Sequence, residues 1–97
     1  MPKGYIIAEL TATNPGPAFE EYREKVLGTV AAFGGRFLVR GGDPKLLEGD
    51  HPEGRAVIIE FDSFDRAMAW YDSAEYQKIL PLRLSNAVSR VLCAVGT

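Results

Sequence analysis

The apolar residues of this chain follow two spacings, one typical of strands and one typical of helices. Residues 3–11, 36–40, 55–61 and 89–95 are rich in β-branched and aromatic side chains, which favours strands. Between them, apolar residues recur every three or four positions, which predicts amphipathic helices. These positions are Phe19, Tyr22, Val26, Val30 and Phe33, followed by Phe64, Ala67, Met68 and Tyr71. The resulting order, β-α-β-β-α-β, predicts a ferredoxin-like α+β fold with an antiparallel four-stranded sheet and both main helices on one side.

The ends of the first helix carry their own signals. Asn14 is a good N-cap, and Pro15 or Pro17 suits the first helical turn. Gly34 and Gly35 follow the last apolar position, so we expect them to end the helix with one left-handed residue.

The later elements are also marked by their bounding residues. Ser63 is expected to cap the second helix, and Ser73 to cap a short third helix that is broken near Pro81. Residues 41–44 (GGDP) interrupt the second strand as a loop or a bulge. Residues 45–48 (KLLE) are a candidate resumption of that strand.

Alternation along the strands divides the predicted sheet into two faces. The first face is wholly apolar and should lie under the helices; it consists of Ile6, Ala8, Leu10, Phe37, Val39, Val57, Ile59, Phe61, Val91, Cys93 and Val95. The second face is mixed; it consists of Tyr5, Ile7, Glu9, Arg36, Leu38, Arg40, Ala56, Ile58, Glu60, Arg90, Leu92 and Ala94. The division assumes that no strand contains a bulge, which would reverse the faces beyond it.

The mixed face predicts a partner for the sheet. It is too apolar to be left open to water and too charged to form an ordinary core. A second copy related by a two-fold axis would cover the apolar side chains and could pair arginines with glutamates. We therefore predict a homodimer through the sheet face; the alternative is a solvated face with scattered hydrophobic residues.

Composition narrows the classes of function. The 97 residues fit one domain, residues 1–97, and the formal net charge of −2 leaves no basic excess for binding nucleic acid. No apolar run is long enough to cross a bilayer, and a single cysteine excludes an intrachain disulfide. We expect a cytoplasmic protein with no nucleic-acid partner and no membrane partner.

No metal or cofactor site is predicted. The chain has one histidine, His51, and one cysteine, Cys93, which do not form a zinc or haem pattern. It also lacks a nucleophile-elbow motif, and its glycine pairs do not form a dinucleotide fingerprint or a P-loop.

Seven strings of this sequence, in order, resemble the domain of unknown function 1330 family. They are KGYIIAELT, FEEYREKV, GGRFLVRGG, LLEGD, RAVIIEF, SFDRAMAWYDSAEYQKILPLR and AVSRVL. The resemblance implies a protomer of the dimeric α+β barrel superfamily, in which a small molecule is commonly enclosed between sheet and helices. The family has no agreed activity. The chain departs from its pattern in the longer helix entry NPGPAF and at His51, where an aromatic residue is common.

Several side chains are candidates for an anion pocket. Arg36, Arg40 and Arg83 could bind a carboxylate or a phosphate, because guanidinium groups match such anions in bidentate geometry, and Arg90 is a further candidate. We expect Tyr76 to provide an aromatic contact to the ligand. Further candidates for an aromatic wall of the pocket are Tyr22, Trp70 and Tyr71.

Proton transfer has two candidates. Glu60 lies on the mixed face, where Arg36 or Arg40 is the expected partner, and it is either a general base or one half of an ion pair. His51 is a second catalytic candidate near the mouth of the pocket.

The first hypothesis of function is a small homodimer that binds an anionic or aromatic organic molecule, with cofactor-free monooxygenase-like or isomerase-like chemistry left open. The alternative is a non-catalytic dimer whose charges only set the pairing of the two sheets.

Overall fold

The computed structural model describes residues 2–49 and 54–97, and these ranges contain the predicted strands and helices. In chain order the elements are β1 (Gly4–Ala12), α1 (Pro17–Ala32), β2 (Arg36–Gly41), β3 (Arg55–Phe61), α2 (Phe64–Asp72), α3 (Ala74–Leu84) and β4 (Ala87–Val95). The strands form one antiparallel sheet in the order β2-β3-β1-β4. The predicted ferredoxin-like order is confirmed, with α3 as the additional short helix. Within the described ranges, no helix is long and apolar enough to span a bilayer.

The core lies between the helices and one face of the sheet. Ile6 of β1 and Phe61 of β3 are buried there against Val30 of α1. Trp70 of α2 is 2% exposed, and its indole N–H donates to Thr29 Oγ1 at 3.1 Å, which satisfies the one polar group of that ring. The aromatic side chains of α2 and α3 therefore belong mainly to the core.

The start of α1 differs from the prediction. Gly16, not Asn14, precedes the first helical residue, and Pro17 occupies the first position as expected. The Asn14 amide instead donates to Asn86 Oδ1 at 2.9 Å, which ties the entry loop to the connection between α3 and β4. At the other end, Gly34 has a φ of 74°, so the predicted left-handed glycine is confirmed.

The two serine caps are confirmed, but the predicted break in α3 is wrong. The Ser63 and Ser73 hydroxyls each accept the backbone N–H three residues on, at 3.0 and 3.2 Å. Pro81 lies inside α3, which continues for three more residues. Proline removes one helical hydrogen bond, but Leu80 and Arg83 on either side of it are buried, and their packing holds the last turn in place.

β2 contains a bulge. Phe37 lies opposite Ile59 on β3. Two residues later, Val39 lies opposite Ile58, which is only one residue further along β3. Leu38 is therefore an extra residue in β2, and the strand changes faces at this point.

The bulge overturns part of the predicted division of faces. Arg40 lies opposite Val57, on the face that the helices cover, whereas Arg36 lies opposite Glu60 on the other face. The prediction that both arginines share the mixed face is therefore wrong, and Val39 changes faces in the opposite direction. We call the uncovered side the open face; it consists of Tyr5, Ile7, Glu9, Arg36, Val39, Ala56, Ile58, Glu60, Arg90, Leu92 and Ala94.

The chain leaves the sheet after β2. Gly41, Gly42 and Asp43 all have positive φ angles, of 93°, 59° and 44°, which turn the backbone away from the strand direction. Residues 45–48 are exposed and form no strand, so their predicted return to the sheet is wrong.

Candidate functional site

A cavity lies between the helices and the covered face of the sheet. Its water-accessible volume is about 60 Å³, which is room for several water molecules. Ala8, Leu10 and Val57 contribute to its floor, and Tyr22 and Tyr76 contribute aromatic walls. The surroundings are therefore apolar except for the groups described next.

Four arginines line this cavity, and each comes from a different element. They are Arg23 of α1, Arg40 of β2, Arg55 of β3 and Arg83 of α3. Arg40 Nη2 donates to the backbone oxygen of Arg23 at 2.7 Å, and the guanidinium carbon lies 4.9 Å from the centre of the Phe37 ring. Burial first, and then the charges of Arg23 and Arg55, lower the pKa of Arg40. Positive charge is thus concentrated around one apolar space.

Arg83 lies at the buried end of the cavity. It is 4% exposed and donates to the Ser89 hydroxyl, and its guanidinium carbon lies 5.9 Å from the centre of the Tyr22 ring. The Tyr22 and Tyr76 hydroxyl oxygens are 2.9 Å apart. Burial, followed by the neighbouring Tyr76, raises the pKa of Tyr22, so this phenol is neutral at physiological pH. Among residues 2–49 and 54–97, no carboxylate forms an ion pair with Arg83.

A second polar cluster lies on the open face, around Glu60. Arg36 Nε and Nη2 lie 2.7 and 2.5 Å from Glu60 Oε1, and the Tyr5 hydroxyl donates to Oε2 at 2.9 Å. The hydrogen bond from Tyr5, and then the one from Arg36, lower the pKa of Glu60. Both carboxylate oxygens are thus engaged on the face opposite the cavity, and the partner of Glu60 is Arg36 rather than Arg40.

The Glu60 cluster predicts a pH-dependent contribution to stability. Because the folded-state pKa of Glu60 lies below its ordinary value of 4.5, this stabilisation is complete above pH 4.5 and is lost as the pH falls through the lower folded value. We expect Glu60→Gln to lower the Tm by a few degrees near pH 7. The difference in Tm from wild type should shrink as the pH falls below 4.5 and vanish once the pH is below the folded-state pKa of Glu60. Thermal unfolding of both proteins, followed by circular dichroism from neutral to acid pH, measures this difference in Tm.

The control for this experiment is Glu24→Gln on the exposed side of α1. A Tm difference between wild type and Glu60→Gln that stays constant down to pH 3 would show that the ionised carboxylate is not what stabilises the cluster.

The family of the chain is identified by a match that extends over almost its whole length. The model of the family described as "Domain of unknown function (DUF1330)" matches residues 3–97. The chain belongs to the DUF1330 family. The resemblance seen in the sequence is thereby confirmed. A comparison with curated proteins finds no match to this DUF1330 protein.

Solved structures of the same fold come from several bacteria. The RPA0582 protein of unknown function from Rhodopseudomonas palustris has a TM-score of 0.76 at 16% identity, over 99% of this chain and 83% of its own. SnoaB from Streptomyces nogalater, described as a cofactor-independent oxygenase, has a TM-score of 0.68 at 11% identity, over 100% and 95%. A protein of unknown function from Bacteroides fragilis, described as dimeric and ferredoxin-like, has a TM-score of 0.55 at 10% identity, over 96% and 95%. These likenesses establish the fold.

The structure brings only some of the predicted site residues together. Three of them line the cavity of the DUF1330 protein: Arg40, Arg83 and Tyr76. Two others, Arg36 and Glu60, form the cluster on the open face. The remaining candidate, His51, lies outside the described residues.

Two arginines of the cavity were missed in the sequence, although both carried a signal. Arg55 precedes Val57 by two residues and therefore shares its face of β3. Arg23 lies four residues after Phe19 and three before Val26, both buried, so it shares their side of α1. Each sits at the edge of an otherwise apolar stripe, where a charged residue is usually solvated.

Proposed function

We propose that this DUF1330 protein is a homodimer that binds a small, anionic organic molecule in the cavity of each protomer. The observation that carries the proposal is the buried Arg83 guanidinium, which has hydrogen-bond partners but, in the described part of the chain, no carboxylate to balance its charge. A buried charge is unfavourable unless it is paired, so a ligand with a negative oxygen would be held strongly there. The cytoplasmic location stays a prediction from the sequence.

The dimer is supported by the pattern of the open face. Val39, Ile58, Ile7 and Leu92 lie in register across all four strands and form one apolar row. Such a row is larger than the scattered hydrophobic residues of an ordinary surface. A second sheet packed face to face would cover it. The Bacteroides fragilis protein of the same fold is described as dimeric, which agrees with this arrangement.

The proposal can be extended from binding to cofactor-free chemistry on the bound ligand. SnoaB, which shares the fold, is described as a cofactor-independent oxygenase. In the cavity, Arg83 with the Tyr22 and Tyr76 phenols would stabilise negative charge on a ligand oxygen, as in an enolate. Within the described residues the cavity lining includes no carboxylate and no histidine. Binding is therefore better supported than turnover.

A second candidate function is a non-catalytic dimer in which the open-face charges set the pairing. The cluster of Tyr5, Arg36 and Glu60 favours it, because all three polar groups satisfy one another away from the cavity. For Glu60 we therefore propose a pairing role in preference to that of a general base.

A native mass spectrum of the purified protein tests the function directly. We expect a dimer that carries extra mass, which is lost when the chains are denatured. A dimer of bare chains would favour the non-catalytic candidate, and a monomer would contradict the homodimer.

A further inference from the structure

The cavity arginines gather at one end of the covered face. Arg40 lies opposite Val57, and Arg55 is two residues before Val57 on the same face of β3. Such diagonal neighbours on adjacent strands are about 7–8 Å apart, which is within reach of two long side chains. One anion placed between these two guanidinium groups could contact both.

The strand register determines how far the buried end of the cavity lies from Arg40 and Arg55. Leu10 of β1 lies opposite Arg55 on one side and opposite Ser89 on the other. Arg83 donates to Ser89, so its guanidinium lies across Leu10 from Arg55. Two strand spacings, or about 10 Å, thus separate the Arg55 and Ser89 backbones, and the cavity floor runs between them.

The two ends of the cavity differ in the kind of oxygen they favour. At the outer end, Arg40 is close to two further arginines, and only Arg23 has an ion-pair partner in the described ranges, the exposed Glu20 at 3.2 Å. A carboxylate there would relieve the repulsion and keep some contact with water, which limits the cost of desolvation. At the buried end, one guanidinium and the phenol O–H that the Tyr22–Tyr76 hydrogen bond leaves free provide donors that suit an uncharged oxygen.

The volume of the cavity limits the size of the apolar part of the ligand. An apolar cavity of about 150 Å³ is known to hold benzene. The cavity here is about 60 Å³, less than half of that, so an aromatic ring does not fit without movement of the walls. A chain of two or three carbons over Ala8 and Leu10 needs less space than a ring, because the carboxylate lies at the outer end, where it keeps contact with water.

We propose that the ligand is a short aliphatic acid in which two or three carbons separate the carboxylate from an oxo or hydroxyl group. Its carboxylate lies between Arg40 and Arg55, and its oxo or hydroxyl oxygen faces Arg83 and the Tyr22–Tyr76 pair. The inference rests on the proposed function, because it names the ligand class of the same cavity. It selects a short anion over the aromatic ligand that the sequence left open.

The experiment compares four probes: 4-oxopentanoate, pentanoate, 2-butanone and benzoate. Trp70 is the only tryptophan of the chain and lines the cavity, so its fluorescence reports binding, and calorimetry gives the affinities. We expect 4-oxopentanoate to bind with a saturable signal. Pentanoate lacks the inner oxygen and 2-butanone lacks the carboxylate, so each should bind roughly 10-fold more weakly, and benzoate should not bind.

Arg40→Gln should weaken 4-oxopentanoate binding by roughly 10-fold or more, since it removes a charge-assisted contact. The matched control is Arg66→Gln. Like Arg40, Arg66 donates to a backbone oxygen, that of Phe33 directly after α1, at 3.1 Å, and its guanidinium carbon lies 5.8 Å from the centre of a phenylalanine ring, but it does not line the cavity. Arg55→Gln is the second variant should Arg40→Gln fail to fold.

The outcomes separate the two proposals. If 2-butanone or benzoate binds as tightly as 4-oxopentanoate, or if Arg40→Gln binds the acid as well as Arg66→Gln does, the ligand class is overturned while small-molecule binding stands. If no probe gives a saturable Trp70 signal and the native mass spectrum shows bare chains, both proposals fail.

Discussion

Replacing Leu92 with aspartate is expected to turn the dimer into a monomer. Leu92 lies on the open face, opposite Ile7, and is 56% exposed in a single chain, so one protomer tolerates a charged side chain there. A two-fold interface over the same position would bury two aspartates without partners. We expect the dimer to weaken by roughly 100-fold or more, which corresponds to about 3 kcal/mol. Sedimentation velocity over a range of concentrations measures the loss.

Leu84→Asp is the matched control for this change. Leu84 is 60% exposed at the end of α3, away from the open face, so it offers a leucine of almost equal exposure. Its replacement should leave the dimer intact. If Leu84→Asp dissociated the dimer and Leu92→Asp did not, the interface would lie on the helical side of the molecule.

The strand order and the helix caps could be predicted because they depend on local signals. A serine before an apolar helical repeat binds the N–H three residues on wherever the chain folds, as Ser63 and Ser73 do. Pro81 shows the limit of such signals, since its effect depends on how firmly the flanking turns are packed, which a local pattern does not show.

The bulge at Leu38 was the largest obstacle to predicting the site. A single extra residue leaves the apolar alternation of β2 almost unchanged in the sequence, yet it moves Arg40 from one face of the sheet to the other. It also places Phe37 and Arg40 on the same side, three residues apart, which is how the guanidinium comes to stack on that ring. Of the two arginines of β2 that the sequence assigned to one site, Arg40 therefore lines the cavity, whereas Arg36 lies on the open face.

A larger side chain on the cavity floor is expected to have a second large effect, on ligand binding. Ala8 lies in the middle of the floor, opposite Val57 on β3 and Val91 on β4, and is 8% exposed. Ala8→Ile adds three carbon atoms where a ligand chain would lie. We expect 4-oxopentanoate binding to fall by roughly 100-fold, while thermal stability stays the same or rises by up to about 2 kcal/mol, because the added atoms occupy an existing cavity. Calorimetry and thermal unfolding measure the two quantities.

Ala12→Ile is the control, because Ala12 lies on the same strand but does not line the cavity. It adds the same atoms at the end of β1 and should leave binding unchanged. A loss of stability in Ala8→Ile would mean that the floor has no spare volume, since overpacking a filled core is destabilising by about 1–3 kcal/mol. Retained stability with unchanged binding would mean that the acid binds elsewhere. Only the combination of retained stability and lost binding agrees with a ligand that occupies this space.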